Sequence, residues 1–292
     1  MRKSLKVLIA YIVIIFALQS FSLFFAPLTA GIYLAFALLA MGITAIIFQK
    51  AVHHEKFLDM GFRLNRNALI GTFIGLLFTA IVLGLAVGLP VILGFCRLEL
   101  NTDSPVGEPA TNDISGTTFV LLMFAFGVPA GFIMCLFGEE LAFRGYILLR
   151  LEQNCGALWA VIICSLIFGL WHLPVYFNVY AGGAAREGPA AVAVMLLFHA
   201  VTVVPVCILY LTTRELYGVS LYHTLVDVFQ YSLVMNPALG EASKLALYRL
   251  ETLNETAMRI AGLATIALQI PIMLGFCAIA KRITLKPQAL SP

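Results

Sequence analysis

Eight long, mainly apolar stretches run along this chain, at residues 7–25, 28–48, 68–95, 118–137, 157–173, 190–212, 219–235 and 260–280. Each is near the ~20 residues that a helix needs to cross about 30 Å of hydrocarbon. Inside lipid the backbone must satisfy its own N–H and C=O groups, so only helices and closed barrels cross. Barrel strands alternate apolar and polar residues. These runs do not alternate, which disfavours a barrel. With 61% hydrophobic and 11% charged residues, the chain reads as an all-α, polytopic transmembrane helical bundle of about eight spans. It forms a single integral-membrane domain over residues 1–292, with a motif-bearing core at about 118–235. The first run follows Arg2, Lys3 and Lys6 and extends to about Ala26. That is longer than the 7–15 apolar residues of a signal peptide, and no A-x-A site follows, so it reads as a retained helix.

The distribution of Lys and Arg orients the bundle. Arg2, Lys3 and Lys6 are expected in the cytoplasm, as are Lys50, Lys56, Arg63 and Arg66, then Arg150, Arg214 and the tail with Lys281, Arg282 and Lys286. The stretch 99–113 has four acids and no base and is expected outside. Both termini then lie in the cytoplasm. The loop at 236–255 is mixed in charge, is expected outside and can hold a short surface helix. Pro129, Pro174, Pro205 and Pro271 lie in or beside spans and are expected to kink them. The net charge of +3 is spread over loops and forms no nucleic-acid surface. Six cysteines, Cys96, Cys135, Cys155, Cys164, Cys207 and Cys277, show no C-x-x-C pairing and read as small buried side chains.

Against this background, Glu139, Glu140, Arg144 and Asp227 stand out, because a charge in hydrocarbon costs roughly 2.5–3.5 kcal/mol or more. The run Gly138-Glu139-Glu140-Leu141-Ala142-Phe143-Arg144-Gly145 contains E-E-x-x-x-R. On a helix, Glu140 and Arg144 are i, i+4 neighbours and can pair, while Glu139 points elsewhere. Apolar residues resume at Tyr146, so the fourth span is expected to continue as a helix to about Glu152. The alternative is an interfacial cluster whose charged ends reach water. Phe168 and His172 form F-x-x-x-H on the next span. From a hairpin at residues 154–156, Glu139 lies ~16 residues back and His172 ~17 on, so both sit about 24–26 Å from the turn and should meet. His223 and Asp227 form H-x-x-x-D. These are again i, i+4, but His223 is so near the start of its helix that it should sit too shallow, unless the preceding turn is recessed into the bundle. A self-satisfied His–Asp pair is the alternative there. His199, on the sixth span, reads as a packing residue.

E-E-x-x-x-R, F-x-x-x-H and H-x-x-x-(N/D), in this order on separate helices, resemble the CAAX-protease and bacteriocin-processing (CPBP, or Abi) family, which includes the type II CAAX prenyl endopeptidases. The resemblance implies an intramembrane endopeptidase. Carried over by position, Glu139 is the catalytic glutamate, Glu140 the acid paired with Arg144, and His172 the histidine that helps activate water. His223 and Asp227 take the place of the oxyanion-stabilising pair. Asparagine is frequent at the last position. An ionised aspartate cannot donate a hydrogen bond, so Asp227 either orients His223 or carries a proton itself. The expected substrate is a membrane-associated peptide or protein, prenylated or not, and the expected location is a prokaryotic cell membrane. No cofactor is expected, since no H-E-x-x-H is present. Were Zn²⁺ used, Glu139, His172 and His223 would be its ligands. Two other functions fit the same residues: a non-catalytic immunity or accessory protein, and a proton-coupled transporter with the acids and histidines as a relay.

Overall fold

The computed structural model describes residues 3–22, 30–101, 116–177, 188–235 and 246–283. Among these, six helices are long and apolar enough to cross a membrane: Ser4–Phe21, Ala35–Val52, Arg66–Ile92, Thr118–Cys155, Pro189–Thr213 and Glu255–Arg282. The other two expected segments form shorter helices, Ala157–Trp171 and Tyr217–Val228. The first is cut by Pro174, whose ring cannot follow the carbonyl of Leu170 in a continuing helix. His172 closes that helix, and its N–H bonds the Gly169 carbonyl at 3.1 Å. The second runs into a π-helical turn at Phe229–Leu233.

The prolines leave a readable trace. Pro90 and Pro129 each follow a π-helical turn, Gly84–Gly88 and Met123–Gly127, which contains the residue four positions before the proline. Widening the turn relieves the clash between the ring and that carbonyl. Pro271 lies inside one unbroken helix, Glu255–Ile283. The motif helix widens again, without proline, over Leu136–Leu148. Its continuation to Cys155 agrees with the sequence expectation to within a turn.

The all-α expectation needs one correction. β1 (Cys96–Leu100), β2 (Val234–Met235) and β3 (Tyr248–Thr252) form a small sheet in the order β1-β3-β2. β1 and β3 are antiparallel, with Arg97 opposite Glu251 and Glu99 opposite Arg249. These opposite charges form ion pairs, which suits cross-strand neighbours at a polar rim. Most of the loop where a surface helix was expected, residues 236–245, lies outside the described residues.

Small residues bring the helix that carries His223 and Asp227 against a neighbouring span. Gly71 and Gly75, one turn apart on Arg66–Leu83, face Gly218 on Tyr217–Val228. A Cβ on Gly75 would fall 2.3 Å from the Gly218 carbonyl oxygen, and one on Gly218 would fall 2.1 Å from that of Gly71. In lipid, where the hydrophobic effect does not drive helices together, such close backbone contact supplies the packing.

A recessed loop completes the fold. The 3₁₀ turn Phe57–Met60 and Gly61 (φ 112°) enter the bundle. The Met60 carbonyl accepts from the Tyr210 hydroxyl at 3.2 Å, and the Gly61 carbonyl accepts from Leu216 N–H at 3.0 Å. Gly145 of the motif helix packs on this loop and on Leu216. The turn before Tyr217–Val228 therefore begins at the depth of Gly145, well inside the bundle. That resolves the depth of His223: its helix starts deep, so few residues suffice to reach the glutamates.

Candidate active site

The wide-turned segment Leu136–Leu148 carries Glu139, Glu140 and Arg144. Glu140 and Arg144 are both buried, and Arg144 Nη1 donates to Glu140 Oε1 at 3.0 Å. The same oxygen lies 2.7 Å from His223 Nδ1. The other His223 nitrogen, Nε2, lies 3.7 Å from Glu139 Oε2 and 3.5 Å from Asp227 Oδ2. His223 is thus ringed by three carboxylates, with one firm bond to Glu140. Each side of the ring faces an acceptor, an arrangement matched by an N–H on both nitrogens. Glu139 Oε2, Glu140 Oε2 and Arg144 Nε are buried without a hydrogen-bond partner among protein groups.

Phe168 is the apolar hub. The Arg144 guanidinium lies 4.7 Å above its ring, in range for a cation–π contact. The His172 ring meets it edge-on with centroids 4.8 Å apart, and the His223 ring lies 6.3 Å away. His172 Nδ1 is 2.9 Å from the Phe168 carbonyl. That oxygen can only accept, so Nδ1 holds the hydrogen and Nε2 keeps its lone pair.

The structure therefore gathers Glu139, Glu140, Arg144, Phe168, His172, His223 and Asp227 around one centre. Glu139 and His172 are not joined by a hydrogen bond or ion pair: Glu139 lies 3.7 Å from His223 Nε2, and His172 bonds the Phe168 carbonyl. Nor do the expected zinc ligands converge as a set. Among the described residues, the group whose ligand atoms come together is Cys135, His223 and Asp227, within 4.8 Å of one another. Glu139 and His172 are absent from it, so the arrangement does not fit the Glu139–His172–His223 site.

Two contributors were missed. Cys135 sits one turn before Glu139 on the same helix, a spacing that was legible but reads as apolar filling. His199 stacks on His172 with ring centroids 4.0 Å apart, which no sequence pattern announces.

Residues 116–229 match the family described as Type II CAAX prenyl endopeptidase Rce1-like. This part of the chain is Rce1-like. The motif resemblance and the family match thus agree on the CAAX-protease class. The Rce1-like stretch includes every site residue named above and ends one residue beyond the helix that carries His223 and Asp227. No curated protein and no solved structure matches the chain. Six helices long and apolar enough to cross a membrane, together with a stretch similar to a membrane-protease family, support an integral membrane protein.

Proposed function

We propose that this protein is an intramembrane endopeptidase that hydrolyses a peptide bond with a water activated by Glu139. The observation that carries the reading is the coordination of His223. Glu140 fixes Nδ1, and Nε2 faces Glu139 and Asp227 at distances too long for a full hydrogen bond. An N–H at that position is oriented and still available to a developing oxyanion.

In this mechanism Glu139 takes a proton from water, and the resulting hydroxide adds to the scissile carbonyl carbon. The carbonyl oxygen gains the negative charge and accepts from His223 Nε2–H. His172 Nε2, an acceptor, holds the second hydrogen of the same water. When the intermediate collapses, the C–N bond breaks and the proton on Glu139 passes to the departing amine. Asp227, an acceptor, orients and compensates His223 and donates nothing. Arg144 keeps Glu140 ionised and in place. The reading uses no metal, so cleavage should survive strong chelation.

The substrate class is a peptide or protein segment at the membrane, prenylated or not. The proposed topology has eight crossings in a single domain, with the two short helices Ala157–Trp171 and Tyr217–Val228 counted as spans and both termini in the cytoplasm. The test is cleavage of paired farnesylated and unprenylated fluorogenic peptides by the purified protein in detergent, with melting measured on the same samples. Glu139→Gln should lose roughly 10²–10⁴-fold in rate, and His223→Ala roughly 10²–10³-fold, both at little cost in melting temperature. A Glu139→Gln protein that cleaves at the wild-type rate sinks the proposal.

A further inference from the structure

His199 has no part in the mechanism above, yet its ring is held on both sides. It lies on His172 with centroids 4.0 Å apart and planes within 7° of parallel. Its Nε2 is 2.5 Å from the Tyr176 hydroxyl. Tyr176 is one turn past His172, on the short helix Leu173–Phe177, and its N–H bonds the His172 carbonyl at 3.3 Å. The three side chains close a bracket: His172 stacks on His199, His199 bonds Tyr176, and Tyr176 is tied through the backbone to His172. Gly169 makes the stack possible. A Cβ there would fall 2.5 Å from the Leu196 carbonyl oxygen and 3.0 Å from Ala200 Cβ, so only glycine lets the helix Pro189–Thr202 come this close.

The bracket is no proton relay. In parallel stacked imidazoles the N–H bonds lie in the ring planes, and none points at the other ring's lone pair. What a stack does fix is the plane of His172. The Phe168 carbonyl then selects the tautomer with the lone pair on Nε2. The groups facing His172 are His199, His223 and the Arg144 guanidinium beyond Phe168. Among the described residues no donor is hydrogen-bonded to Nε2, so that lone pair is open.

We propose that His199, held by Tyr176, is a positioning residue for His172, setting the imidazole plane so that Nε2 presents its lone pair to the reacting water. The proposal rests on the peptidase reading and adds two residues to which that reading gives no role. A ring displaced by about 1 Å can cost on the order of 10²-fold in rate.

The experiment uses the full-length protein in detergent with a farnesylated fluorogenic peptide. It records kcat, KM, melting temperature and the ¹⁵N spectrum of labelled histidines. His199→Ala should lower kcat by roughly 10–10²-fold with KM and melting temperature held. His199→Phe keeps a flat ring for the stack and should regain most of the lost kcat, and Tyr176→Phe should fall between the two. In the spectrum, His172 should pass from one Nδ1–H tautomer in the wild type to a mixture in His199→Ala. Wild-type kcat in His199→Ala overturns the proposal. So does a kcat loss matched by a fall in melting temperature that His199→Phe shares. If the wild type leaves the peptide intact, or His172→Ala cleaves it normally, the peptidase reading fails instead. The spectrum then decides the bracket alone: an unchanged single tautomer in His199→Ala overturns it, and a mixture upholds it.

Discussion

Two arginines six positions apart on one helix, Arg144 and Arg150, each buried and each bonded to a glutamate, stand in opposite kinds of site. Around Arg150 the carboxylate is fully used. Glu55 Oε1 accepts from Nη1 at 2.9 Å, and Oε2 accepts from Nη2 at 2.7 Å and from Gln49 Nε2 at 3.1 Å. Gln49 and Gln153 also accept from the guanidinium, which lies 5.5 Å above the Tyr146 ring. The bond from Arg150 holds the Glu55 carboxyl below the ordinary range. Around Arg144, one oxygen of Glu140 takes both the arginine and His223, and the second oxygens of Glu139 and Glu140 have no hydrogen bond to protein. Each such buried orphan costs about 1–3 kcal/mol. The knot at Arg150 ties a loop to a helix end and leaves no carboxylate oxygen open. The cluster at Arg144 keeps acceptors in reserve, as a site that must bind a reacting group requires.

The most severe test of this contrast removes each arginine. Arg144→Ala leaves Glu140 charged and enclosed, and should cost about 3–5 kcal/mol. Arg150→Ala should cost about 1.5–3 kcal/mol, because the Glu55 side chain is 39% exposed and can recover water. Denaturation in a single detergent would compare the two. A larger loss at Arg150 would break the distinction. Replacing the first pair together, as Arg144→Met with Glu140→Met, should recover much of the stability and none of the cleavage.

Neutralising the two glutamates sharpens the contrast from the side of function. Glu140→Gln keeps the shape but weakens the hold on His223 Nδ1, and should lower kcat roughly 10²-fold with a modest fall in melting temperature. Glu55→Gln should leave kcat unchanged and lose part of the knot, by about 1 kcal/mol. Equal effects of the two on kcat would show that the knot acts on the chemistry as well.

How far sequence reaches follows the same division. Charge in an apolar run announces itself by its cost, so Glu139, Glu140, Arg144, His172, His223 and Asp227 could be singled out, and the Arg144–Glu140 bond follows from i, i+4 spacing alone. Apolar length gave six of the spans. It could not foresee that Pro174 and the turn at Phe229–Leu233 shorten the other two helices. Spacing within one helix says nothing of contacts between helices. Hence the depth of His223, set by a loop from residues 57–61, was unresolved, and the stack of His199 on His172 was unseen. The Arg150 knot was hidden for the same reason: Gln49, Glu55 and Arg150 are distant in sequence, and a charged residue near a helix end looks ordinary.

A third buried carboxylate separates satisfaction from charge pairing. Glu215, in the turn before the His223 helix, is 1% exposed. It accepts from Gly218 N–H at 2.9 Å and from the Thr213 hydroxyl at 3.3 Å, and among the described residues no cation pairs with it. It is thus satisfied like Glu55 but uncompensated. Burial pushes its carboxyl up to about 7 from an ordinary 4.5, against the pull of the backbone N–H bonds. A folded value above the unfolded one means that the native state binds the extra proton between those pH values, so stability falls as pH rises from 4.5 to about 7 and levels off above. Glu215→Gln keeps an acceptor for Gly218 and removes the titration. Its stability should match the wild type near pH 5 and gain on it as pH rises past 7, by about 2–3 kcal/mol, the linkage expected for a shift from 4.5 to about 7. A gap that is constant with pH would mean that Glu215 stays ionised throughout, and that neutral donors alone can do for a buried carboxylate what Arg150 does for Glu55.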